Sequence, residues 1–68
     1  MKNIDARGLS CPEPVVLAKE AADAGEKQIE VLVDTEVCKE NVSRFLRDAG
    51  YTVTIKEVAD EATITASK

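Results

Sequence analysis

The sequence predicts a two-layer α/β sandwich of order β-α-β-α-β-β with both helices on one face of the sheet. Three observations lead there. Two segments carry apolar residues at helical spacing and stop at a glycine, and four shorter ones alternate apolar with polar residues. The last two strands bear threonines along one side, which leaves that side of the sheet to solvent and the other to the helices. Lys2 to Ala6 places Ile4 and Ala6 on one side and runs into Arg7-Gly8, so it reads as a short strand closed by a turn. From Pro12 or Pro14 to about Ala24 the chain is rich in Ala, Leu, Lys and Glu and ends at Gly25, a residue suited to the position just past a helix.

Gln28 to Asp34 sets Ile29, Val31 and Val33 on one face and Leu32 on the other, the mark of a strand well covered on both sides. Between Glu36 and Ala49 the apolar residues Cys38, Val42, Phe45, Leu46 and Ala49 form a stripe at helical spacing, with Gly50 behind it. Tyr51, Val53 and Ile55 alternate with Thr52, Thr54 and Lys56, and Ala62, Ile64 and Ala66 alternate with Glu61, Thr63 and Thr65. The polar Ala59-Asp60 pair between them makes the two runs a hairpin. No repeat, linker or low-complexity tract interrupts the 68 residues, which read as one domain over 1–68.

Composition narrows the function. A core this small leaves little room for a deep cavity, so chemistry is expected at the surface. The net charge of −4 and the two aromatic residues, Phe45 and Tyr51, argue against nucleic acid, which is held by cations and stacking rings. There is no histidine to serve as a general base. The two cysteines, Cys11 and Cys38, stand 27 positions apart and fit neither a Cys-x-x-Cys redox pair nor a zinc quartet, so no metal and no cofactor are expected. The N-terminus has no apolar region of the kind a secretory signal carries, which suggests a soluble, cytoplasmic protein with reduced thiols and no membrane partner.

The segment Arg7-Gly8-Leu9-Ser10-Cys11-Pro12-Glu13-Pro14 holds most of the chemical information. The first amides of a helix have no intrahelical acceptor and the dipole places about half a positive charge there, so a thiolate at that end is stabilised and becomes a better nucleophile near neutral pH. Two registers fit. Proline in the first turn puts Cys11 in a cap-like position, whereas Ser10 with Glu13 forms a capping box that makes Cys11 the first helical residue. Either way the sulfur sits at the positive end of the helix. The Glu13 carboxylate opposes thiolate formation if close, and Arg7 is placed to offset it across the turn. Cys38 shares the apolar stripe of the second helix and reads as a small core residue. A disulfide from Cys11 to Cys38 requires Cα atoms within about 7 Å and is not expected for a cysteine on a packed helix face. Val16 lies on the polar stripe with Lys19, Glu20 and Asp23, where a docking patch is conceivable.

The run Asp5-Ala6-Arg7-Gly8-Leu9-Ser10-Cys11-Pro12-Glu13-Pro14-Val15, followed by Lys19, resembles the Cys-Pro-x-Pro signature of the TusA/SirA/YedF sulfur-carrier family, in wording nearest the YedF branch. Val33-Asp34-Thr35-Glu36, the run from Lys39 to Leu46, and Gly50-Tyr51-Thr52-Val53 are similar to the family's second strand, second helix and third strand, so the likeness spans nearly the whole chain. The resemblance implies a mixed four-stranded sheet and a motif cysteine, here Cys11, that receives sulfane sulfur as a persulfide. It implies a donor such as a cysteine desulfurase, an acceptor carrier protein, and a link to sulfur or selenium metabolism. Arg7, Gly8, Pro12, Glu13 and Pro14 would shape or flank the site. Cys38 departs from the family pattern, which often has a small residue there. From a different class, the same loop reads as a rigid docking surface of a non-catalytic regulatory domain, which would bind its partner regardless of Cys11.

Overall fold

The computed structural model describes residues 2–9 and 13–68. The element order is β1 (Lys2–Asp5), α1 (Glu13–Asp23), β2 (Gln28–Val33), α2 (Glu36–Asp48), β3 (Thr52–Val58) and β4 (Glu61–Ser67). The strands form one mixed sheet of order β1-β2-β4-β3. β1 runs parallel to β2, and β4 runs antiparallel to both β2 and β3. The expected order and the expected covering of one face by both helices are what the structure has, and α1 and α2 also pack on each other.

β2 is the axis of the sheet. Its alternation sends Ile29, Val31 and Val33 to complete burial against the helices, and the same register brings in Ala66, Ile64 and Ala62 from β4. On the helix side, Ala18 and Ala21 of α1 and Cys38, Val42 and Leu46 of α2 close the core. The alanines let α1 approach closely, while each large aliphatic contributes about 1.5–3 kcal/mol on burial. The opposite face carries Thr52, Thr54 and Lys56 exposed on β3, with Thr63 and Thr65 half-buried on β4.

Both helices end in the same way. Glu26 N–H donates to Ala21 O and Gly25 N–H to Ala22 O beyond α1, and Tyr51 N–H donates to Leu46 O and Gly50 N–H to Arg47 O beyond α2. These paired bonds satisfy the last carbonyls and turn the chain back toward the sheet. Tyr51 departs from the alternating strand that the sequence suggests. It belongs to this helix-terminating motif and is buried, its hydroxyl donating to Glu26 O at 2.5 Å, so it staples the ends of the two helices together. Lys68 Nζ covers the ring at 4.7 Å from its centroid. At the other end of α2, Thr35 is the N-cap, its Oγ1 accepting from Cys38 N–H, a cap the sequence reading did not include. Ser43, buried within α2, returns its hydroxyl to Lys39 O and Glu40 O.

The hairpin turn is Ala59-Asp60, as expected, but Ala59 takes a φ of 56°. Two-residue hairpin loops require such a backbone and an L-residue with a Cβ resists it. Ala59→Gly is therefore expected to stabilise the fold by about 0.5–1 kcal/mol, the strain relieved less the extra chain entropy of glycine. Thermal unfolding followed by circular dichroism measures it as a rise of a few degrees in Tm, and no rise would mean that the strain at Ala59 does not exceed the entropy cost of glycine.

Candidate functional site: the turn before Cys11 and the shared edge of three elements

Because β1 and β2 are parallel and each leads into a helix, the starts of α1 and α2 lie at the same edge of the sheet. β4 runs the other way, so its first residues and the hairpin turn arrive there too, with Ala62 opposite Val33. One edge thus collects the segment between β1 and α1, the start of α2 and the tip of the hairpin. Cys11 and Pro12 lie outside the described residues, as does Ser10, and with them the choice between the two cap registers.

Ahead of Cys11, the chain makes a tight turn anchored at every residue from Ala6 to Leu9. Ala6 is buried and its N–H donates to Leu32 O at 2.8 Å, extending the β1–β2 ladder by one bond. Leu9 N–H donates to Ala6 O at 3.3 Å, closing the turn, and its side chain packs on the core. Gly8 sits at the third position with a φ of 78°. That is the left-handed conformation this turn demands, and an added Cβ would meet nothing within 4 Å, so the need for glycine is conformational rather than spatial. The Gly8 N–H donates to Asp34 Oδ2 at 2.9 Å, across to the end of β2.

Arg7 is the second fastening. Its guanidinium forks onto Asp5 through Nε and Nη2, each at 2.9 Å, and Nη1 reaches Glu61 at 3.1 Å. The turn is therefore tied to the start of β4 as well as to β1. The sequence reading expected Arg7 to offset the charge of Glu13 across the turn. The structure pairs it instead with Asp5 and Glu61, because the two-residue step back along β1 and the hairpin tip present carboxylates where the fork can take both. These pairs are solvent-exposed and screened, and they act here as geometric restraints.

On the far side of Asp34 lies an open cleft of about 400 Å³ between the start of α2 and the hairpin, lined by Asp34, Thr35, Glu36, Lys39, Glu57 and Glu61 among others. Lys39 bridges Glu36 on its own helix and Glu57 on β3, and the two carboxylates raise its pKa above the usual lysine value. Both cations near this edge are thus held by paired carboxylates, and the surface around the turn is electronegative. Among the described residues no group of three or more His, Cys, Asp or Glu side chains is arranged to hold a metal ion, and none of the helices is long and apolar enough to cross a membrane.

Of the residues the sequence singled out, Arg7 and Gly8 form the turn, while Glu13 and Pro14 open α1 with Pro14 fully buried. Pro14 packs on the core as well as stiffening the helix start. Cys38 is 3% exposed in the α2 stripe, the place its periodicity assigns it, but it is disulfide-bonded, which overturns both the expectation of reduced thiols and the expectation that a cysteine on this packed helix face forms no disulfide. Its separation from Cys11 lies outside the described residues. Val16 is 47% exposed on α1, on the polar stripe as expected. Asp34 and Glu61 are the two contributors that sequence reasoning missed. They stand 26 and 54 positions from the residues they bind, and nothing local marks them.

Arg7 holds the Asp5 carboxyl well below its ordinary value, from 3.8 to about 2, first through the side-chain hydrogen bonds and then through the Arg7 backbone N–H. A depressed carboxylate pKa means that the pairing is fully present above about pH 3.8 and is lost as the pH falls through about 2. Carbon-detected NMR titration of Asp5 should give a midpoint near 2 in the wild type, and Arg7→Ala should move it up toward the ordinary 3.8. An unchanged midpoint would show that the fork is not formed in solution.

The matches to known proteins extend over this whole architecture. The family model described as "Sulfurtransferase TusA" matches residues 2–68. A curated Methanocaldococcus jannaschii protein, named "Putative sulfur carrier protein MJ0990", is 40% identical over 60 residues, covering 84% of this chain and 79% of that protein. The crystal structure of the SirA-like protein from Desulfitobacterium hafniense superposes with a TM-score of 0.86 at 32% identity, over 98% of this chain and 96% of that one. On the strength of the matched length and of the shared fold, this chain belongs to the TusA/SirA family.

Proposed function

We propose that this chain is a sulfur carrier, one domain over residues 1–68, that takes sulfane sulfur on Cys11 from a donor protein and passes it to an acceptor protein. Support comes from family membership over residues 2–68 together with the anchoring of the turn that leads into the Cys-Pro-Glu-Pro motif. The observation that carries the reading is that turn. A carrier must present one nucleophile to two successive partners in the same geometry, and here the residues just before the cysteine are fastened to β1, β2 and β4 rather than left to wander.

Starting from the reduced protein, the chemistry balances without a cofactor. The Cys11 thiolate attacks the outer sulfur of a donor persulfide, so the donor's S–S bond breaks, the donor cysteine leaves as a thiolate, and a new S–S bond forms on Cys11. In the second half, an acceptor thiolate attacks the outer sulfur of the Cys11 persulfide and returns Cys11 to a thiolate. Neither half needs a net oxidant or a metal. The first amides of α1, including that of Glu13, and the positive end of its dipole favour the thiolate in both halves. A cysteine desulfurase has the donor chemistry required, and the wording of the motif favours the YedF branch, with its ties to sulfur or selenium metabolism. The electronegative edge favours partners whose docking surface is basic.

Intact-mass spectrometry tests the assignment. The reduced protein is incubated with a cysteine desulfurase and cysteine. The wild type is expected to gain one sulfur atom and Cys11→Ser none, with Cys38→Ser retaining the gain. Equal gain by wild type and Cys11→Ser would overturn it, and partner binding unaffected by Cys11→Ala with no sulfur gained would favour a docking domain instead.

A further inference from the structure

Asp34 is outside the proposed transfer chemistry, yet its side chain makes a hydrogen bond that reaches from the second β-α unit into the first. It is half-buried at the end of β2, immediately before the Thr35 cap of α2, and its Oδ2 accepts the Gly8 N–H at 2.9 Å. Gly8 is the residue whose backbone is least determined by its own chemistry, since glycine populates both signs of φ about equally and nothing lies within 4 Å of where its Cβ would be. Packing therefore does not select the conformation of this residue. The closing bond of the turn, Leu9 N–H to Ala6 O, is long at 3.3 Å. Arg7 is fastened through its own side chain, and among the described residues it is the carboxylate of Asp34 that accepts the Gly8 N–H.

We infer that Asp34 is a positioning residue for Cys11. By accepting the Gly8 N–H it fixes the direction in which the chain leaves the turn, and so the approach of the following cysteine-bearing segment to the start of α1. The inference rests on the proposed reading of Cys11 as the sulfur acceptor, but the bond from which it starts does not. An amide oxygen accepts as a carboxylate oxygen does, so the role belongs to the acceptor and not to the negative charge. The charge has the opposite tendency, because a carboxylate near a thiolate opposes its formation. Geometry and charge thus predict different orders of reactivity among variants.

Three proteins separate them: wild type, Asp34→Asn and Asp34→Ala, each reduced and checked for folding by thermal unfolding. Alkylation of Cys11 by iodoacetamide at neutral pH, located by peptide mass, is expected to slow about tenfold in Asp34→Ala, the rate equivalent of one hydrogen bond. Asp34→Asn should match the wild type or exceed it. Hydrogen exchange of the Gly8 amide is expected to be protected in wild type and Asp34→Asn and to lose that protection in Asp34→Ala. Faster alkylation in both variants, or an unchanged rate in Asp34→Ala, would overturn the inference. So would an unprotected Gly8 amide in the wild type, a result that stands even if Asp34→Ala does not fold. If instead wild-type Cys11 alkylates as expected but gains no sulfur from a desulfurase, the carrier reading fails while the positioning role stands.

Discussion

The structure depends on the burial of one face of β2. Ile29, Val31 and Val33 reach zero exposure only because β1 and β4 pair on either side in registers that keep their own apolar residues on the same face, and because two helices cover it. A one-residue slip of either pairing would turn that whole set to solvent, so the register is firmly specified. From the register follows the site. Parallel β1 and β2 must both be left at the same edge, both helices must begin there, and the antiparallel return of β4 adds the hairpin tip.

That edge combines two kinds of restraint. The first is apolar and belongs to the core: Ala6 and Leu9 bracket the turn, and Pro14 is fully buried at the start of α1. The second is polar and lies at the surface, where Arg7 and Asp34 tie the turn to β1, β4 and the end of β2. Burial fixes Ala6, Leu9 and Pro14, and the polar bonds hold Arg7 and Gly8 within the turn. Charged groups near the surface serve this purpose well because their bonds are directional and their solvent screening keeps the energetic cost of a mismatch small. Such restraint presents one constant surface in a chain that belongs to the TusA/SirA family.

The fold was largely legible in the linear chain, since β2 and β4 alternate cleanly and the stripe from Cys38 to Leu46 has helical spacing. Tyr51 was misread because an aromatic ahead of an alternating run looks like the first residue of a strand, whereas the helix before it needed its N–H to cap Leu46 O. Within the site, the Arg7-Gly8 turn and the start of α1 near Pro14 were legible because glycine and proline restrict the local backbone in recognisable ways. The partners of that turn were not. Arg7 was expected to offset the charge of Glu13 across the turn and no partner was named for its guanidinium, which goes to Asp5 and to Glu61, the latter 54 positions away.

The amino-acid sequence by itself determined which segments are helices and strands, which of their faces are apolar, and where a glycine turn precedes the Cys-Pro-Glu-Pro motif. Each of these follows from periodicity or local backbone chemistry within a few residues. Only the tertiary structure decided that Asp34 and Glu61 hold the turn before that motif. Carboxylates are abundant along this chain and chemically alike, and it is strand order and register, set by burial elsewhere, that bring two of them within hydrogen-bond distance of Gly8 and Arg7.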